Sequence, residues 1–270
     1  MRIGLASVIA TALFATGSPA LAESSLPAFA GAYIGVNAGS AWGSSNYATD
    51  SGCAPDAGNG VFCEQPPDPS AVNGTAVAAS GTGDLFSSGF TGGIQGGYNW
   101  QQGNVVFGGE GDFGAFSLGD STSPAGVFPF PFLGTTYALT ERMSTSWLAT
   151  LRARLGYTVT PELLLYATGG LSLTDLKFSS GYSDNAIDLT FPGGTGFGSR
   201  SDVKAGWTVG GGGEWLLDGN WSVKAEYLYF DFGSMSMAVP LSNTPAFAQT
   251  MQVEADLSAQ VARVGINCRQ

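Results

Sequence analysis

The sequence predicts an all-β protein, an eight-stranded antiparallel up-and-down transmembrane β-barrel preceded by a cleavable signal peptide. Three observations carry that expectation: a hairpin of inverted polarity, strand-like runs whose connections alternate short and long, and an export leader. The hairpin is GWTVGGGGEWLLDGNWSVKAEYLYFDFG, from Gly206 to Gly233, two alternating runs about Leu217-Asp218-Gly219-Asn220. Period-two alternation on both sides of a short polar link reads as a β-hairpin. In its second run Trp221, Val223, Ala225, Tyr227 and Tyr229 share one face, and Ser222, Lys224 and Glu226 share the other. A soluble sandwich buries the aromatic face and turns the charges to water. A membrane barrel does the reverse, with apolar side chains to lipid and charges to the lumen.

The leader comes first. Arg2 precedes an apolar stretch from about Ile3 to Phe14, and Ala20-Leu21-Ala22 supplies an A-x-A cleavage site. That is the pattern of a secretory signal peptide, with an apolar core too short to span a bilayer. Residues 1–22 are therefore expected to be removed, leaving a barrel domain over residues 23–270 that starts at Glu23. No later stretch approaches the apolar length of a spanning helix.

Eight runs follow. Gly31 to Trp42 sets Ile34, Val36 and Ala38 against Tyr33, Gly35 and Asn37. Ser88 to Gln101 turns Phe90, Ile94, Tyr98 and Trp100 outward and Thr91, Gln95 and Asn99 inward. A Gln102-Gly103-Asn104 turn leads into Val105 to Leu118, where Val105, Phe107 and Phe113 oppose Glu110 and Asp112. Met143 to Tyr157 sets an apolar row from Trp147 to Tyr157 against Ser146, Thr150, Arg152 and Arg154. Thr160-Pro161 turns the chain into Glu162 to Phe178, then come the opening hairpin and a last run ending at Gln270. The long connections are expected at about 43–85, 119–138, 179–200 and 234–250. Short turns on one rim and long loops on the other describe a small barrel.

One segment breaks the alternation. From Gln252 to Val261 the odd positions are apolar, whereas from Ala262 onward the even positions Ala262, Val264 and Ile266 take over. Either a bulge near Val261 or lumen-facing apolar residues near the mouth accounts for the switch.

Composition excludes several functions. Lys and Arg number 10 against 21 Asp and Glu, so no basic stripe exists to neutralise phosphates, and nucleic acid is not an expected partner. The chain has no His, which removes Ser-His-Asp and Cys-His nucleophiles and His-ligated metals. No catalytic residues, metal or cofactor are expected. The repeated glycines lie inside alternating runs, and no Lys follows a Gly as a phosphate-binding loop requires. Three cysteines in an exported chain suggest one disulfide, between Cys53 and Cys63 across a short Pro/Gly/Asn-rich segment, with Cys268 left over.

The candidate site is the lumen. Alternation places Glu110, Asp112, Arg152, Arg154, Lys204, Glu214, Lys224, Glu226 and Arg263 inside. Five positive and four negative charges can pair where single ones would be expensive, so the reading is a filled lumen. Glu110 and Asp112 resemble a glycosidase pair only in residue type. The first loop carries Asp50, Asp56, Glu64, Asp68 and Asp84 without Lys or Arg, and the third adds Asp184 and Asp188. This acidic rim is either a solvated loop or a surface for cations. Phe128, Phe130 and Phe132 form an interaction patch or fold over the mouth.

Several phrases together resemble a known family. Gly31-Ala-Tyr-Ile-Gly-Val-Asn-Ala-Gly39, Gly93-Ile-Gln-Gly-Gly-Tyr-Asn-Trp100, Leu151-Arg-Ala-Arg-Leu-Gly-Tyr157 and Trp221-Ser-Val-Lys-Ala-Glu-Tyr-Leu-Tyr229 resemble the porin-like surface antigens of Gram-negative bacteria. Those are eight-stranded barrels similar to the OmpA membrane domain. The resemblance spans the mature chain. It implies an outer-membrane location, lipid and lipopolysaccharide as surroundings, and the outer-membrane assembly machinery as a partner. That family usually closes on Tyr-x-Phe, where this chain has Cys268 and Gln270, and no peptidoglycan-binding domain is expected to follow. The expected function is non-enzymatic support of the envelope and display of surface loops. A small porin with a narrow aqueous path is the alternative, and a soluble lipocalin-like barrel, which would bury apolar side chains inward, is the weaker one.

Overall fold

The computed structural model describes residues 28–50, 71–129, 134–185, 193–217, 220–242 and 249–270. The leader, Cys53 with Cys63, and Phe130 with Phe132 lie outside the described residues, as do Asp56, Glu64, Asp68 and Asp188. In chain order the elements begin with β1 (Gly31–Asp50), α1 (Ala71–Ser80), β2 (Gly83–Gln102) and β3 (Val105–Ser117). The short strands β4 (Gly119–Thr122), β5 (Ala125–Val127) and β6 (Thr136–Ser144) precede β7 (Trp147–Thr160). Then come β8 (Leu163–Asp184), β9 (Thr195–Leu216), β10 (Trp221–Ser242) and β11 (Gln249–Arg269).

Neighbouring strands pair antiparallel throughout, and β1 pairs with both β2 and β11, so the sheet closes on itself. The ring runs β1-β2-β3-β7-β8-β9-β10-β11. Along its upper part β4 continues β3, and β6 leads into β7. The fourth run is thus divided at Thr145-Ser146, where Asp175 accepts hydrogen bonds from Ser146 N at 2.7 Å and Trp147 N at 3.0 Å.

The strands exceed expectation. β8 and β10 have 22 residues each, about twice the 9–11 that a tilted crossing requires. Much of each expected long loop is therefore strand, and Ala71–Ser80 inside the first loop is a helix. The reason lies in the exterior of these extensions. It is rich in Ser, Gly and Asp, a composition that reads as loop when the interior partner is not in view.

Along β10 and β11 the polarity inverts at one height. On β10 the inward row is Ser222, Lys224 and Glu226, then Leu228, Phe230 and Phe232. On β11 it is Arg263 and Asn267 below, but Val261, Ala259, Leu257, Ala255 and Val253 above, all buried. The odd residues of β11 face inward along its whole length, and its register with β1 is unbroken. The switch near Val261 is therefore not a bulge. It marks lumen-facing apolar residues near the mouth. The bulge lies on the facing strand, between Asp231 and Ser234, where Gly233 adopts φ +64°. A left-handed residue there costs an L side chain about 1 kcal/mol or more.

Two aromatic rows on the outer wall bracket the lower half. Tyr98, Trp100, Phe107, Tyr157, Trp215 and Trp221 ring the short-turn end. Trp42, Phe90, Phe113 and Trp207 ring the level of inversion, with Trp207 5.5 Å from Tyr229 and Phe113 6.0 Å from Trp147. Aromatic girdles at both interfaces are what a barrel crossing the bilayer needs.

Glycine allows close approach in this wall. Gly93 pairs with Gly114 across β2 and β3, and a Cβ on Gly93 would lie 2.2 Å from the Phe113 carbonyl oxygen. Gly93→Ala is expected to cost about 1–3 kcal/mol through forced strand separation. Urea unfolding of the refolded barrel reads this directly, and an unchanged midpoint would refute it.

Candidate functional site

Alternation and register build the lumen. Glu110 on β3 pairs in register with Arg152 on β7, Glu226 on β10 with Arg263 on β11, and Glu214 on β9 with Lys224 on β10. Across the narrow interior, about wide enough for side chains to fill, these residues make two tiers.

The upper tier holds Glu110, Asp112 and Glu226 against Arg152, Lys224 and Arg263, three charges of each sign. Lys224 Nζ lies 2.7 Å from both Glu110 oxygens and 3.3 Å from Glu226. Arg152 donates to Glu110, to Asp112 at 3.0 Å and to Glu226 at 3.4 Å. Arg263 donates to both Asp112 oxygens at 3.1 Å and to Glu226 at 2.9 Å. Tyr33 donates to Glu110 at 2.7 Å, Tyr166 to Glu226 at 2.8 Å and Thr150 to Asp112 at 2.6 Å. The six charged side chains are at most 4 % exposed. Multiple partners on each group are what make burial of charge tolerable.

The lower tier joins Arg154 to Glu214, with Arg269 3.5 Å from Glu214 and the Arg154 guanidinium 3.6 Å above the Tyr166 ring. Beneath it Phe29, Val106, Leu164 and Tyr166 form a small apolar floor. Above the charged zone, Phe116, Phe230, Phe232 and the Met, Val and Leu side chains of the inverted rows form a large apolar core. Val77 of α1 is fully buried in it, and Tyr137 ties the helix down with a hydrogen bond to the Ala76 carbonyl at 2.9 Å.

Eight of the nine candidate charges meet here. Lys204 does not. It lies above the inversion, with Nζ donating to the Ser234 carbonyl. The β9–β10 ladder lapses between Asp231–Trp207 and Leu241–Gly196, and the long side chain fills that gap. Alternation fixes a face and not a height. Arg269, absent from the expected set, shares the odd-numbered face of Arg263 and Asn267, and that period was the signal for it. Phe128 folds inward, buried and 5.0 Å from Tyr137. Cys268 is a free thiol. Among the described residues no group of His, Cys, Asp and Glu is arranged to hold a metal.

Comparison with known proteins agrees with this architecture. The model of the outer membrane protein beta-barrel domain matches residues 8–269. The chain is 35% identical over 277 residues to the 31 kDa outer-membrane immunogenic protein of Brucella melitensis, with 97% of each chain covered. It is 34% identical over 151 residues to the 22 kDa outer membrane protein of Rhizobium leguminosarum, covering 56% of each. Among solved structures it is similar to the outer membrane protein OprG of Pseudomonas aeruginosa, at 10% identity and a TM-score of 0.43, covering 89% of this chain and 97% of that one. With the barrel, its girdles and a family match along nearly its whole length, the chain belongs to the outer membrane protein beta-barrel family of Gram-negative bacteria.

Proposed function

We propose that this protein is a closed, non-enzymatic barrel that stabilises the outer membrane and displays its extracellular cap at the cell surface. The observation that supports the reading is the side-chain packing of the interior, ion-paired in the lower half and apolar above it. A conducting path needs a continuous string of water, and successive layers of packed side chains in the interior argue against one. The lumen carboxylates are each bound to cations and buried, which leaves no general acid or base open to a substrate. The name of the Brucella relative, an immunogenic protein, favours display as part of the role. Planar-bilayer recording of the refolded protein tests the reading. Membranes holding folded barrel should stay silent, and a steady, ion-selective conductance would put the small-porin reading in its place.

A further inference from the structure

One carboxylate stands apart from both charge tiers. Glu141, on β6 above the outer girdle, is fully buried in the apolar cap between Leu139 and Met143. Ser180 Oγ donates to one of its oxygens at 2.7 Å, and the other oxygen has no hydrogen-bond partner among the described residues.

No cation can reach it. Five of the Lys and Arg side chains fill the lumen beneath. Arg142 is exposed, Lys177 and Arg200 pair with Asp175 and Asp202, and Lys204 is bound to the Ser234 carbonyl. Beyond the leader, the segments outside the described residues contain no Lys or Arg. The other ionisable side chains on the inward face of the cap are Tyr47 of β1, Tyr137 of β6, and Tyr182 of β8, whose hydroxyl donates to the half-buried Asp184 at 2.8 Å. Asp84, Glu254 and Asp256 lie on the outer wall, Asp120 is half-buried on β4 beside Met143 and accepts a hydrogen bond from Phe86 N at 3.0 Å, and α1 has no charged residue. Burial without a counter-ion pushes the Glu141 carboxyl up to about 7, against a small opposing effect from the Ser180 hydrogen bond.

The inward row of β6 links this group to the helix that fills the mouth. Tyr137 bonds to Ser80 and Ala76 of α1. Leu139 lies under Gly81, whose added Cβ would approach it to 3.2 Å. Glu141 is next along that row.

We propose that Glu141 is an acid-operated latch, which protonated keeps α1 and β6 packed into the mouth and ionised loosens them. An unpaired charge buried among Leu, Met and Phe side chains is expensive. The cap relieves that cost by opening far enough to hydrate the carboxylate. Cap stability is then greatest below the ordinary carboxyl range and falls as pH rises towards 7. The lumen ladder is untouched, so the latch is independent of whether the lumen conducts.

Amide hydrogen exchange on the refolded full-length protein tests this, with rates corrected for intrinsic pH dependence. Between pH 5.5 and 8.5 the peptides covering 71–80 and 136–144 should lose protection roughly ten- to thirty-fold, the span implied by moving one carboxyl from its ordinary range to about 7. Peptides from the lower part of β7 should keep theirs. Glu141→Gln should hold the cap closed at both pH values. Ser180→Ala keeps the carboxyl but removes the bond that favours its charged form, so its midpoint should move to higher pH. A wild-type cap indifferent to pH overturns the proposal, as does an equal response in Glu141→Gln or a midpoint that fails to rise in Ser180→Ala.

Discussion

Replacing Lys224 by Met is expected to destabilise the whole barrel by about 3–5 kcal/mol, the usual cost of leaving one partner of a buried pair uncompensated. Lys224 is the cation that touches both Glu110 oxygens at 2.7 Å. Without it, three carboxylates face only Arg152 and Arg263. Glu226→Met should cost a similar amount for the opposite reason, since Arg152, Lys224 and Arg263 would then share two carboxylates. The double variant restores two charges of each sign. It should therefore cost clearly less than the sum of the single changes, by a coupling of about 1–3 kcal/mol. Asp84→Ser, on the exposed outer wall, should stay within about 0.5 kcal/mol of wild type. Urea titrations in micelles, followed by tryptophan fluorescence, supply all four values. Strict additivity of the two lumen substitutions would mean that the charges do not act as one network.

The lower half of this molecule was legible because its alternation runs against the soluble rule. Lys224 and Glu226 opposite Trp221 and Tyr227 can have only one meaning in a strand that lies in lipid. The same alternation placed eight of the nine candidate charges in the lumen. It misplaced Lys204, because period two carries no information about height along the barrel. The upper half was not legible in the same way. Above the inversion Ser234 and Ser236 lie outside while Met235 and Met237 lie inside, which is the ordinary soluble pattern on strands that are also interrupted by Gly233 and Pro240. Short polar exteriors with scattered glycine and proline look like loop until the ladder with β11 is seen. Glu141 was hidden for a related reason. Its significance is the lack of a cation around it, and a sequence shows which charges exist but not how far apart they fold.

The apolar cap should answer to substitution differently from the lumen. Phe230→Ala is expected to remove about 3–5 kcal/mol of packing, because the ring is fully buried, stacked on Phe232 at 5.9 Å and tilted against Phe116 at 6.2 Å. Phe230 sits at the height of the upper girdle, paired with Thr208 beside Trp207, and supports the wall above it, where water and not lipid surrounds the strands. An opened cap strand can hydrate its backbone, whereas a strand within the bilayer has no such recourse. The cap is therefore expected to open by itself while the membrane half stays closed. Limited proteolysis of the variant in liposomes should cut within 232–241 and 251–258 and leave the membrane-embedded part of the barrel intact. Lys224→Met should show the reverse, with no new cuts in the cap before the whole barrel unfolds. If Phe230→Ala instead lowers the unfolding midpoint of the entire barrel with no early cap cleavage, the two halves are one cooperative unit. The inversion of polarity would then mark the membrane surface without marking a boundary of stability.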